Sequence, residues 1–483
     1  MDLLKRRPTR RAVLAAAVAA GAGSAGLGVL ASHAWRPFSA GRSAGGWPSP
    51  LHTERGRVAH LLRRATFGVS QKAMEQAMQD GFDRTVDRLL EQSAEPTGLI
   101  SPSDPAQGST LGLNDLQRWW MHHMLSTPAP FAERMTLFWH GHFTTEYQKV
   151  GYGSPFIYWQ NLTWRRLRLA RLGAMLREVT IDPAMLQYLD LSGSDASDPD
   201  QPPNENYARE LMELFTMGPG GYSEADVKAG ARALAGWSTP PPDTTVDVVV
   251  DEQSQATEPV DVWSRPLTGV FDPGAAYGRK VTFLGRTGRL GLDQVIDQIL
   301  AQPATAPFIV RKLWRYFLSP APAADAVRRL AGSFRTAGYD VRALMRSLLK
   351  SPEAVAPDSY RALVRSPVEF MVAAALALGV EPEGAAGLIA DYAEPAGQAL
   401  FQPPNVGGWP GGAGWISPAE MLARFNFVSA LLDQVATPPP AASATDLHLD
   451  GVLSASTAQR LRAADSDRQG WLVVLTSPEF NLK

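Results

Sequence analysis

Apolar residues recur every three or four positions through most of this chain, the spacing that gathers them on one face of an α-helix. In ERGRVAHLLRRATFG, Val58, Leu61, Leu62 and Ala65 follow it, and Gly68 stops the run. SQKAMEQAMQDGFDRTVDRLLEQ reads as two short helices joined at Asp80-Gly81. LNDLQRWWMHHMLST is another, ended at Thr127-Pro128, and PFAERMTLFWH continues the pattern with Gly141 placed as a C-terminal cap. NENYARELMELFTMG is closed by Gly218. SEADVKAGARALAGW opens on Ser223 with Asp226 three residues on, a capping box with Asp in place of Glu. Helical spacing returns at LDQVIDQILAQ and persists through AEMLARFNFVSALLDQ to the end. LLKSPEA and LTSPEFN share a Ser-Pro phrase without any fixed period, which reads as a way to stop helices and not as a solenoid repeat.

Period-two alternation occurs once, in TVDVVVD within a Pro- and Thr-rich stretch. The expected fold is therefore mainly α: a multi-helix single globular domain over residues 53–483, with one small β-hairpin element at about 239–286.

The first residues change the picture of where the protein works. MDLLKRRPTRRAVLAAAVAAGAGSAGLGVLASHA holds Thr9-Arg10-Arg11, a mildly apolar Gly/Ala stretch and the small-x-small site Ser32-His33-Ala34. This is the form of a twin-arginine signal peptide over residues 1–34, with a Pro/Gly/Ser-rich linker at 35–52. Export to the periplasm, envelope or exterior is the expectation. The stretch from Ala12 to Leu30 only just reaches the length needed to cross a bilayer core of about 30 Å, and an uncleaved anchor is the alternative. Without residues 1–34, Lys+Arg falls from 46 to 41 and Asp+Glu from 48 to 47, so net charge moves from −2 to −6. An acidic chain lacks the basic footprint of a nucleic-acid binder. It contains no cysteine, so no disulfide supports it outside the cell.

Candidate chemistry sits in three places. FWHGHFTT carries His140 and His142 around Gly141. In a continuing helix, positions two apart diverge by about 200°. If Gly141 ends the helix, both rings can turn to one side and bind an ion as a His-x-His pair. The bland reading is one ring among aromatics and one on a carbonyl. NENYARELMELF places Asn206, Glu210 and Glu213 within about 60° of arc, beside a Glu205, Arg209, Glu213 ladder. That face is either solvated or the lining of a cleft. FQPPNVGGWPGGAGWISP carries Asn405, Trp409 and Trp415, whose rings either stack on a ligand at the surface or plug the loop onto the helical body. No nucleophile elbow, phosphate loop, dinucleotide fingerprint or His-Glu-x-x-His helix occurs.

Taken in order, HLLRRATFG (60–68), RMTLFWHGHFTT (134–145), DPAMLQYLD (182–190), NENYARELMELFTMG (204–218), PATAPFIVRKLWR (303–315), SPVEF (366–370) and PPNVGGW (403–409) resemble a bacterial exported family catalogued as domain of unknown function 1800. The resemblance implies export and a partner, since such proteins are often encoded beside an exported protein with a sulfatase-like fold. Relatives usually carry Asn between the two histidines, and a His-Asp pair where this chain has Ala275 and Ala276. His60 is then the spare imidazole.

Two function classes follow. One is a metal-assisted hydrolase of an envelope or extracellular polymer. In it His140, His142 and Glu210 hold a zinc-like divalent ion, Glu213 acts as general base and Arg209 holds developing charge. Asn405, Trp409 and Trp415 shape its binding surface. The other is a non-catalytic scaffold or chaperone-like partner of the co-encoded protein.

Overall fold

In the computed structural model, the described residues are 47–93, 112–151, 155–198, 202–240, 245–251, 256–261 and 267–483, with backbone alone at 245–251 and 256–261. The expected signal peptide and most of the linker lie outside them. Twenty-two α-helices account for most of the described chain, and strands occur only between Trp237 and Gly288. No helix among the described residues is long and apolar enough to cross a membrane.

The fold class is as the spacing predicts, mainly α with a small β element. In place of one hairpin there are three two-stranded antiparallel pairs, Trp237–Ser238 with Val270–Phe271, Thr245–Asp251 with Ala256–Asp261, and Val281–Phe283 with Arg286–Gly288. Only the second has strands long enough to show alternation in the sequence.

Local rules set most helix ends. Thr53 caps Glu54–Ala65 by accepting the Gly56 N–H, and Gly81 at φ +76° turns the chain between Gln71–Asp80 and Phe82–Glu91. Ser223 and Asp226 form the predicted capping box. The Ser-Pro phrase does two jobs at once. Ser477 ends one helix and caps the next, and Ser351, one residue past the Lys350 C-cap, caps a 3-10 turn, each with Pro at the first position.

Packing gives one continuous core from Leu61 to Phe480, with Trp120, Trp139 and Trp164 fully buried in it. The Leu113–Ser126 helix lies against Pro382–Ala393, and Asn206–Glu213 against Glu224–Leu234. Ion pairs pass through this core. Glu133, wholly buried, takes Arg165 through two bonds of 2.6 and 2.9 Å and the Trp120 indole N–H at 2.8 Å. Glu369 is shared by Arg134 and the Lys483 ammonium.

The first helix is tied to remote parts of the chain. His60 Nε2 lies 3.1 Å from the Ala354 carbonyl, Arg63 pairs with Asp450, and Arg64 donates to the carbonyls of Phe317, Leu318 and Ser359.

Candidate functional site

The stretch around His140 folds differently from the expectation. Gly141 does not end the helix; Pro130–His142 continues through it, and the exit comes at Phe143, whose N–H still bonds the Trp139 carbonyl at 2.7 Å. A Cβ at Gly141 would meet nothing, so no backbone demand there breaks the helix. The two imidazoles therefore keep the helical divergence and enter separate aromatic cages.

His140 sits among Trp120, Phe401 and Trp409, with ring centroids 5.0 to 5.2 Å away, and its Nε2 accepts the Phe401 N–H at 3.1 Å. His142 stacks on Phe138 and touches Phe143 and Phe215; its Nε2 donates to the Phe215 carbonyl at 3.0 Å, leaving Nδ1 buried without a partner. Burial pushes His140 down to about 3 and carries His142 well below the usual range, so both rings are neutral. His140 offers its lone pair to a backbone N–H and His142 faces another cage. This donor set does not fit one shared ion.

The Gly/Trp loop is the object of the His140 contacts. Thr144 Oγ1 donates to the Val406 carbonyl at 2.7 Å, the Tyr147 N–H donates to Phe401 at 2.9 Å, and Gly408 at φ +84° passes so close that a Cβ would lie 2.5 Å from the Gly141 carbonyl oxygen. Trp409 lies half-buried over His140. Trp415 is 5% exposed: the loop turns it inward, the plugging placement of the two the sequence left open. Asn405 is exposed, and its Oδ1 accepts the Gly407 N–H at 2.8 Å, which shapes the turn.

The Asn206–Glu213 helix turns its polar residues to a different place, an acidic face that is mostly half-buried, with Asn206 and Glu224 exposed. Glu210 is half-buried and its carboxyl is raised, first by burial and then by Glu213. Glu213 accepts the Tyr222 hydroxyl, whose pKa burial and that carboxylate push up to about 12. Arg209 bonds Glu224 at 2.6 and 2.8 Å and Glu205 at 3.3 Å. Asn206 donates to Asp190, which also holds Lys149. Tyr188 feels both Glu146 and Glu210. Among the described residues, no group of three or more His, Asp or Glu is arranged to hold a metal ion. The spare imidazole, His60, is buried against Ala354 and Ser359, and Ala275 accepts the Ala196 N–H in a turn.

One site escaped the sequence reading altogether. A cavity of about 620 Å³ opens between the Leu62–Ser70 segment, the helices that follow it and the Pro367–Leu378 helix. Buried Arg63 and Arg365 line it with His448, together with the exposed Lys72 and half-buried Arg88. The available signal was the Arg63-Arg64 pair set between Leu62 and Ala65, two positions of the apolar face.

Residues 60–482 match the model of a family described as a protein of unknown function, DUF1800. No curated protein and no solved structure matches the chain.

Proposed function

The chain belongs to the DUF1800 family, and from its acidic face we propose that it works as a non-catalytic scaffold, a chaperone-like partner that docks a basic surface of another exported protein. The partner this reading names is the co-encoded exported protein with a sulfatase-like fold, met after export by the twin-arginine route.

One observation carries it: the acids lie together. Arg209 bonds Glu205 and Glu224, Tyr222 bonds Glu213, Asn206 and Lys149 bond Asp190, Glu210 feels the charge of Glu213, and Tyr188 feels Glu146 and Glu210. Such a surface steers and orients a positively charged partner, and contributes more to on-rate and specificity than to raw affinity. His140 supports the same reading, because its ring braces the Phe401–Trp409 loop.

The test is co-expression with the neighbouring exported protein and capture through a tag on that partner, at low and at high ionic strength. Salt-sensitive capture is expected, weakened roughly tenfold or more by the combined change E205K/E210K/E213K. Capture indifferent to that variant overturns the docking face. Elemental analysis of protein carrying no histidine tag decides between this reading and its rival: one tightly held divalent ion per chain, with hydrolysis of an envelope polymer lost in Glu213→Gln, replaces the scaffold by the metal-assisted enzyme.

A further inference from the structure

The cavity beside the first helix is a different place from the acidic face; no residue of that face lines it. Its walls are apolar, with Leu62, Phe67, Val69, Leu125, Ala377 and Phe480 among them, and Leu376 exposed at the rim. Its charged groups are all cationic: among the described lining residues there is no Asp or Glu.

The cations are unequally matched. Arg63, 5% exposed, pairs through Nη2 with Asp450 but leaves Nη1 buried without a partner. Arg88 holds Asp80 at 2.7 Å. Lys72 faces solvent. Arg365 stands apart. It is 3% exposed, lies over the Phe480 ring at 4.9 Å and donates once, to the Phe67 carbonyl at 3.2 Å. Its Nε is buried without a partner, and no carboxylate is paired with it among the described ion pairs. Burial, then the neighbouring Arg63, push it down to about 9 against the opposing pull of Glu369, a carboxylate bonded to Arg134 and Lys483, so Arg365 stays charged at neutral pH without a carboxylate of its own. His448 is held neutral, lowered to about 4 by burial, Arg365 and Arg63. The cavity is thus short of a single negative charge.

An unmatched buried cation is costly, and a planar guanidinium takes a carboxylate through two parallel bonds. A cavity of about 620 Å³ lies within the range that holds small ligands. We propose that this cavity binds a monocarboxylate with an apolar body, its head at Arg365 and Arg63 and its chain along Leu62, Leu125 and Ala377 toward Leu376.

Dodecanoate and dodecanol, matched in chain and different in head, are the probes. Titration calorimetry on the full chain is expected to give one site for dodecanoate, bound at least roughly tenfold tighter than dodecanol. Arg365→Gln removes that preference, and Ala377→Trp, which fills the apolar wall without touching a charge, weakens both probes by a similar factor. Equal affinity for acid and alcohol, no binding of either, or unchanged dodecanoate affinity in Ala377→Trp overturns the proposal even if Arg365→Gln fails to fold.

Discussion

The N–H of Phe401 donates to Nε2 of His140 at 3.1 Å, joining residues 261 positions apart. One half of the HGH stretch is a fastening for the Gly/Trp loop.

Removing that fastening destabilises the fold. His140→Ala strips an acceptor from a buried N–H and three aromatic neighbours from contact, at a cost of about 3 kcal/mol. Urea unfolding measures it, with far-UV circular dichroism unchanged before the transition and Trp409 emission shifted to the red.

Acid should loosen the same contact. His140 is depressed to about 3 in the folded chain, while an unfolded histidine titrates near 6.5. Between those values the unfolded state binds the extra proton, so its contribution is present above about 6.5 and lost as pH falls toward 3. His140→Asn is expected to flatten the stability profile between pH 6 and 4 by about 1.4 kcal/mol per pH unit. An unaltered slope counts against a buried neutral ring.

Asp182 works in the opposite sense. It caps Pro183–Tyr188 and accepts from Gln160 at 2.7 Å, yet burial pushes it up to about 7. With the folded value above the unfolded one, its contribution is full below about 3.9 and lost as pH rises through 7. Asp182→Asn keeps a capping oxygen and should gain more than about 1 kcal/mol over the wild type on going from pH 5 to pH 8 in thermal unfolding.

Gly408→Ala forces a side chain at φ +84° toward a carbonyl oxygen 2.5 Å away. The left-handed backbone alone costs about 1 kcal/mol, and relieving the contact lifts the loop from His140. Proteolysis between Phe401 and Trp415 is expected to speed up in this variant and to stay at the wild-type rate in Gly411→Ala, where the space is open.

Two arginines separate surface from core. Arg209→Met, on a ladder that is 34% exposed, is expected to change stability by less than about 1 kcal/mol. Arg134→Met, 1% exposed, leaves Glu369 with Lys483 as its one ion-pair partner among the described residues and should cost about 3–5 kcal/mol. Parallel denaturant titrations decide it.

Much of the helical plan was legible because short-range rules set it. The Gly81 turn and the Ser223–Asp226 box are where the sequence puts them. Gly141 was misread because a glycine's freedom permits a helix end without requiring one. The side of the molecule that a residue meets is a long-range matter: Phe401 sets the environment of His140, and Asp450 that of Arg63, across hundreds of positions. No periodicity carries that information. Nor does any motif announce Arg365, whose interest lies in the carboxylate it does not have nearby.

The ties of the first helix bear on how the chain assembles. Its partners lie 253 to 387 residues downstream, so Arg63 and Arg64 emerge from synthesis long before the groups that satisfy them. Such distant closures make for slow, late-committing folding, with the leading segment open to proteases and holdase chaperones in the interval. A nascent chain halted before Asp450 would keep that helix undocked, however complete its other helices.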